Sequence, residues 1–383
     1  MGHLGFHLAC RFAGAHMPGI SDRLRPLKLT VAATYRCNHR CRLCNVWKVS
    51  QAGGGEASPE LTPDEYEKVF SELKQSLLYL DWGGGEPFLR EDTATIIRSA
   101  ARRCPRLSEI VFSTNGYWTD RIVATVEEMA RDLPKHRLAI GVSLDGVEEL
   151  HDHLRGVKGA FRATMETLTQ LRTLTKRFST LSVKMSYTLS SLNAGQFSTF
   201  QKEVLRPLGW AVDDVGFNLE HTGNLFHNVG EEGRNLPDGR QAMIQDIQQV
   251  VNSTRGSGST NLQRAKLGMR LFFLQQIPRY WENPGKQVIP CQATRNSLFL
   301  DPTGAVYPCI IWGKRLGHCR DGMATLLSSP ETRDTRKQIA EEKCPGCWNA
   351  CEMIPSLLTS TRLFSVLRAA LTSDRHYGIC CTR

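Results

Sequence analysis

The sequence predicts an α/β protein: a parallel sheet wrapped by helices, followed by a small cysteine-rich unit. Strand-like and helix-like segments alternate from Lys28 to Glu220, the pattern of a parallel sheet. Most of the 13 cysteines fall into two groups, one after the first strand and one beyond residue 290. The 383 residues, 41% hydrophobic and 22% charged, have a globular composition. They suffice for one catalytic domain of about 200 to 250 residues and a smaller appendage.

In order, the strands are Lys28 to Ala33, Leu77 to Asp81, Glu109 to Ser113, Leu138 to Ser143, Ser182 to Leu189 and Asp214 to Glu220. A helix starts at Thr62-Pro63-Asp64, where a capping residue precedes a proline. Others cover Glu91 to Arg103, Asp120 to Leu133, Gly159 to Phe178 and Gly195 to Leu208. Beyond them, Arg240 to Ser253 and Gln263 to Tyr280 carry a helical pattern, with Arg255 to Thr260 a flexible joint by composition. Asp301-Pro-Thr-Gly304 lies between apolar runs and reads as a hairpin turn that brings Cys291 and Cys309 together.

The net charge of +10 favours anionic partners, but no Lys/Arg-rich run with interleaved aromatics marks a nucleic-acid track. The surplus reads as a solvated basic face. No apolar run reaches the roughly 18 residues of a membrane span. His3, His7 and Arg11 interrupt what would otherwise be a signal-peptide core. A cytoplasmic enzyme is the expectation.

Grouped cysteines in such a chain point to metal ligation rather than disulfides. Cys37, Cys41 and Cys44 supply three thiolates with no fourth nearby, which leaves one metal position open for a substrate or cofactor. A zinc knuckle completed by His39 is the alternative, weakened by the short loop that holds it. In the second group, Cys291 and Cys309 need two more ligands, and Cys344, Cys347 and Cys351 compete for the places. Thiolates alone leave an iron–sulfur cluster and a zinc ribbon both open there. Cys10, Cys104 and Cys319 read as inert buried thiols. No role is assigned to Cys380 and Cys381.

Cys-x3-Cys-x2-Cys after a first strand resembles the signature of the radical S-adenosylmethionine (radical SAM) enzymes. Four further segments stand in that family's order at strand ends: Gly84-Gly85-Glu86-Pro87, Ser113-Thr114-Asn115-Gly116, Ser143-Leu144-Asp145-Gly146 and His151-Asp152-His153-Leu154-Arg155-Gly156. The resemblance implies a partial (β/α)6 TIM-like barrel with a [4Fe-4S] cluster on Cys37, Cys41 and Cys44. It also implies S-adenosylmethionine held by Gly84, Gly85, Glu86, Asn115, Ser143 and Arg155. Glu86 would accept from the ammonium and Arg155 would grip the methionine carboxylate. Asp145 and Gly146 read as a turn, His151 and Asp152 as caps of the following helix, and Trp47 and Trp348 as shields of their clusters.

Cys-x12-Gly-x4-Cys followed by Cys-x2-Cys-x3-Cys resembles the SPASM extension of the same family, or its shorter relative, the twitch domain. One auxiliary [4Fe-4S] cluster is therefore expected. The implied division is an N-terminal extension over 1–27, the barrel over 28–222, a helical bridge over 223–290, the cysteine-rich domain over 291–355 and a helix and tail over 356–383. The implied activity is radical cleavage of S-adenosylmethionine and hydrogen abstraction, leading to oxidation or bond formation on a ribosomally made peptide. A small biosynthetic precursor is the alternative substrate, and a non-catalytic iron–sulfur or zinc protein the alternative class. A flavodoxin or ferredoxin would supply electrons.

Overall fold

The structure, a computed structural model, describes residues 25–51, 59–229, 239–254 and 261–371. The first 24 residues of the expected N-terminal extension, with Cys10, lie outside the described residues. So do the 255–260 joint and the tail with Cys380 and Cys381.

Six parallel strands form the body: β1 (Lys28–Thr34), β2 (Tyr79–Gly84), β3 (Glu109–Thr114), β4 (Arg137–Ser143), β5 (Leu181–Leu189) and β6 (Val215–Leu219). They lie in sequence order, with β6 at an open edge. The far side of β1 pairs in parallel with β7 (Ser297–Leu300), and β8 (Ala305–Tyr307) and β9 (Gly317–His318) extend the sheet antiparallel. The cysteine-rich unit is thus an extension of the barrel's own sheet. The expected hairpin is present: Asp301 accepts from the Ala305 N–H at the β7–β8 turn.

Helices lie between the strands: α1 (Val46–Gln51) and α2 (Pro63–Leu73) before β2, α3 (Thr93–Arg103) before β3, α4 (Thr119–Asp132) before β4, and α5 (Glu148–Arg155) and α6 (Ala160–Thr175) before β5. Later helices are α7 (Phe197–Phe200), α8 (Arg240–Ser253), α9 (Asn261–Gln275), α10 (Ile277–Glu282), α11 (Met323–Leu327), α12 (Pro330–Ala340), α13 (Ala350–Leu357) and α14 (Arg362–Leu371). Thr62 caps α2 in a capping box with Glu65. No described helix is long and apolar enough to cross a membrane.

Strand alternation separates two environments. Leu29, Val31, Trp82, Ile110, Phe112, Ile140, Val142, Met185 and Tyr187 face the helices and form the main core. The opposite face carries Thr30, Ala32, Asp81, Gly83, Ser113, Gly141, Ser143 and Ser186, so the interior of the barrel is polar and lined by small side chains. The reactive interior is built by what β-strand periodicity leaves over once the core is filled.

Three local expectations differ from the structure. α5 was expected as a loop motif; it is a helix ending on Gly156, whose φ of 65° closes it in the left-handed region. The Gly195 to Leu208 helix is instead the short α7 running into a π-helical turn at Gln201–Leu205. Gln263 to Tyr280 is two helices, because Pro278 has no N–H with which to continue α9 and starts α10 in its place.

Candidate active site

The loop after β1 carries Cys37, Cys41 and Cys44 as half-buried free thiols. Three other segments brace its backbone. Thr34 O and Arg36 O accept from the N–H groups of Gly85 (2.8 Å) and Glu86 (2.9 Å), and the Arg40 and Arg42 N–H groups donate to Arg155 O (3.0 Å) and Leu154 O (2.9 Å). Asn45 N–H donates to Phe226 O at 2.8 Å. Glycine is required at the closest approaches: a Cβ on Gly85 would fall 2.2 Å from Arg36 O, and Gly84 sits at φ 112° with Thr34 O at 2.7 Å from any added Cβ.

Glu86 is buried and accepts from Thr114 Oγ1 (2.8 Å), Asn115 N (2.8 Å) and Phe88 N (3.2 Å). A carboxylate has about four acceptor sites, so one is left for a ligand. Burial pushes its pKa up to about 7 against the pull of these donors. A cationic group placed beside it would relieve that cost. Asn115 donates through Nδ2 to Asn38 Oδ1 at 2.7 Å. Ser143 ends β4, in register with Ser186 on β5.

Arg155 projects from α5 toward the same loop. Burial opposes its charge, but Nη2 donates to Asp145 and Nη1 lies 3.8 Å from Cys41 Sγ, and these partners hold it cationic. Asp145 is therefore more than a turn residue: its other oxygen accepts from Thr188 N at 2.7 Å. Asp152 caps α6 as expected, accepting from Gly159 and Phe161 N–H, whereas His151 turns inward and accepts from Asp145 N.

The thiols and polar groups fit a bound iron–sulfur cluster and a zwitterionic cofactor. Buried atoms around the loop have no partner among the described residues: both nitrogens of His39, Asn38 Nδ2, His151 Nε2 and Arg155 Nε. Native interiors seldom leave so many polar atoms unmatched in one place. Burial also pushes Cys37 and Cys44 up to about 12, a bias that coordination to iron reverses.

The second set comes from the segments flanking the β7–β8 hairpin and from the chain that follows. Cys291, Cys309, Cys344, Cys347 and Cys351 pack together with Ala32, an interior-facing residue of β1. Within this group Cys347 feels the charges of Cys309, Cys291 and Cys344, and Cys291 lies beside Cys344. Cys351 Sγ also lies 3.7 Å from Asp81 Oδ2, next to the Lys28–Asp81 ion pair at 3.5 Å. Cys104 is buried and donates to Phe70 O, and Cys319 is buried. Trp348 stacks on Phe273, and Trp47 Nε1 donates to Cys44 O.

Residues 31–189 match the radical SAM superfamily model, and residues 291–348 match SPASM, an iron–sulfur cluster-binding domain. The chain is a radical SAM enzyme with a C-terminal SPASM domain. Its cofactors are S-adenosylmethionine and [4Fe-4S] clusters. The sporulation killing factor maturation protein SkfB of Bacillus subtilis (strain 168) is 24% identical over 86% of this chain and 72% of its own length. Fe-coproporphyrin III synthase of Methanosarcina barkeri is 37% identical over 35% of this chain, which spans 31% of that relative. The structure of native anSMEcpe with bound AdoMet and Kp18Cys peptide shares the fold of the radical SAM enzyme described here. Its TM-score is 0.56 at 16% identity, covering 90% of this chain and 99% of that chain.

Sequence reasoning did not single out Asn38, the pairing of Asp145 with Arg155, or residues 221–229. Asn38 and residues 221–229 carry no spacing signal, because their partners are distant in sequence; Asp145 and Arg155 are 10 positions apart, a separation that matches no helix or strand period. Asn38 bonds a residue 77 positions away.

Proposed function

We propose that this radical SAM enzyme carries out an oxidation or bond-forming reaction on a ribosomally made peptide. The observation that carries this reading is the pairing of β7 with β1, the strand that leads into Cys37. Through Ala32 the second cysteine set borders the same interior as the first. Two redox centres bordering one barrel interior suit a reaction in which the substrate, once a hydrogen atom is lost, must also shed an electron. The SkfB match supports a peptide because it runs along most of the chain, whereas the Fe-coproporphyrin III synthase match covers about a third of it.

In this reading Cys37, Cys41 and Cys44 hold a cluster with one open iron. When bound, that cluster supplies the electron that cleaves S-adenosylmethionine to methionine and the 5′-deoxyadenosyl radical. Gly84 and Gly85 let the backbone approach the methionine end, Glu86 accepts from its ammonium and Arg155 donates to its carboxylate. Asn115 and Ser143, at neighbouring strand ends, hydrogen-bond the rest of the cofactor. The reductant is a flavodoxin or ferredoxin, and the thiolate clusters suit a reducing cytoplasm.

The auxiliary ligands are Cys291, Cys309, Cys344 and Cys347, with Cys351 outside the set. Cys351→Ala is therefore expected to retain about eight irons per chain, while Cys347→Ala falls to about four, as measured by iron assay after anaerobic reconstitution. Equal losses in the two variants would contradict this assignment. The substrate reading is tested by supplying reduced enzyme and S-adenosylmethionine with any short peptide found encoded beside its gene. A peptide product that has lost two hydrogen atoms supports it. Turnover of a small precursor, with the peptide unchanged, overturns it.

A further inference from the structure

The loop that follows β6 has no part in the chemistry above, yet it touches both cysteine sets. At one end Asn45, next to Cys44, donates its N–H to Phe226 O (2.8 Å) and its Nδ2 to His227 O (3.2 Å). At the other end Leu225 N–H donates to Ile310 O (2.9 Å) and Asn224 N–H to Ile311 O (3.0 Å), directly after Cys309. His221 Nε2 lies 2.9 Å from Trp348 O, the residue after Cys347. From Cys44 to Cys309 the path is covalent except for two hydrogen bonds, Asn45 to Phe226 and Leu225 to Ile310.

One side chain closes this loop on itself and onto the cysteine loop. Asn228, 2% exposed, accepts through Oδ1 from Gly223 N (2.8 Å) and donates through Nδ2 to His221 O (3.3 Å) and to Leu43 O (3.2 Å). Leu43 immediately precedes Cys44. Gly223 packs so tightly on the hairpin that an added Cβ would fall 2.9 Å from Ile311 Cα. Buried amide networks of this kind fix one geometry because an unmade bond leaves a desolvated group without a partner.

We propose that residues 221–229 form a strap that fixes the two cysteine sets relative to one another, with Asn228 as its positioning residue. This rests on the reading that Cys44 and Cys309 each ligate a cluster. Iron content and electron paramagnetic resonance of the reduced wild-type enzyme decide that reading separately, since a single cluster type would refute it without touching the strap.

The strap is tested by amide hydrogen exchange of the holoenzyme, with Asn228→Ala acting at the cysteine-loop side and Gly223→Ala at the hairpin side. Each variant is expected to speed exchange at Asn45 and at Asn224 and Leu225 together, on the order of tenfold. Each should also alter the resonance lines of both clusters, a signature that a general loss of stability would not produce. If either variant changes only its own end, or if neither changes the exchange of these amides, the two ends are independent and there is no strap.

Discussion

In the C37A/C41A/C44A protein, formation of 5′-deoxyadenosine is expected to fall below detection while about half of the iron remains. The loop after β1 offers these three thiols and leaves a coordination position open. The cofactor has to be held at that iron for the electron to reach its sulfonium, and positioning of this kind accounts for several orders of magnitude in rate. Cys291 precedes β7, Cys309 follows β8, and Cys344 and Cys347 come later in the chain; they pack with Phe299, Ile310 and Ile339 as well as with Tyr35 of the first loop. None of these four thiols belongs to the first loop, so their iron is expected to survive its loss. Iron assay and product chromatography check both halves, and loss of all iron would show that the sets do not form independently.

Arg155→Ala is expected to weaken S-adenosylmethionine binding by about 1.5 to 3 kcal/mol, or roughly 10- to 100-fold in Kd. The variant also strips Asp145 of its ion-pair partner, and a buried charge left alone is costly in its own right. Arg155→Ala/Asp145→Asn separates the two effects. Asparagine keeps an oxygen for the Thr188 N–H and removes the orphaned charge. If affinity is still reduced in the double variant, the loss belongs to the cofactor contact. Recovery to the wild-type Kd would mean that Arg155 serves only Asp145. Arg155→Lys should not restore binding fully, because a point charge cannot meet Asp145, Cys41 and a carboxylate in one plane.

Much of the site was legible because backbone crowding and metal ligation demand particular residues at fixed spacings. Gly84 and Gly85 are where another backbone passes within van der Waals reach, and only glycine survives there. Cys37, Cys41 and Cys44 share one short loop, so their grouping shows in the sequence itself. The six parallel strands were legible from alternation, with no end shifted by more than three residues. α5 was hidden because its eight residues are too few to establish a helical period. The contact of Cys351 with Asp81 was not legible, since the two lie 270 positions apart. The same holds for Asn228, whose partner Leu43 lies 185 positions earlier. Hydrogen bonds between distant loops leave no periodic trace, and these loops carry the site's fine geometry.

In the proposed division of labour the barrel set initiates the radical, and the auxiliary set receives the electron that the substrate sheds. The measurement that bears on it most directly is 5′-deoxyadenosine and product formation by Cys309→Ala, with its first cluster verified by spectroscopy. Cofactor cleavage should persist at a rate near that of wild type in the presence of dithionite, while conversion of the substrate is lost. Loss of cofactor cleavage in that protein would mean that the auxiliary cluster feeds electrons inward, and the account would be wrong.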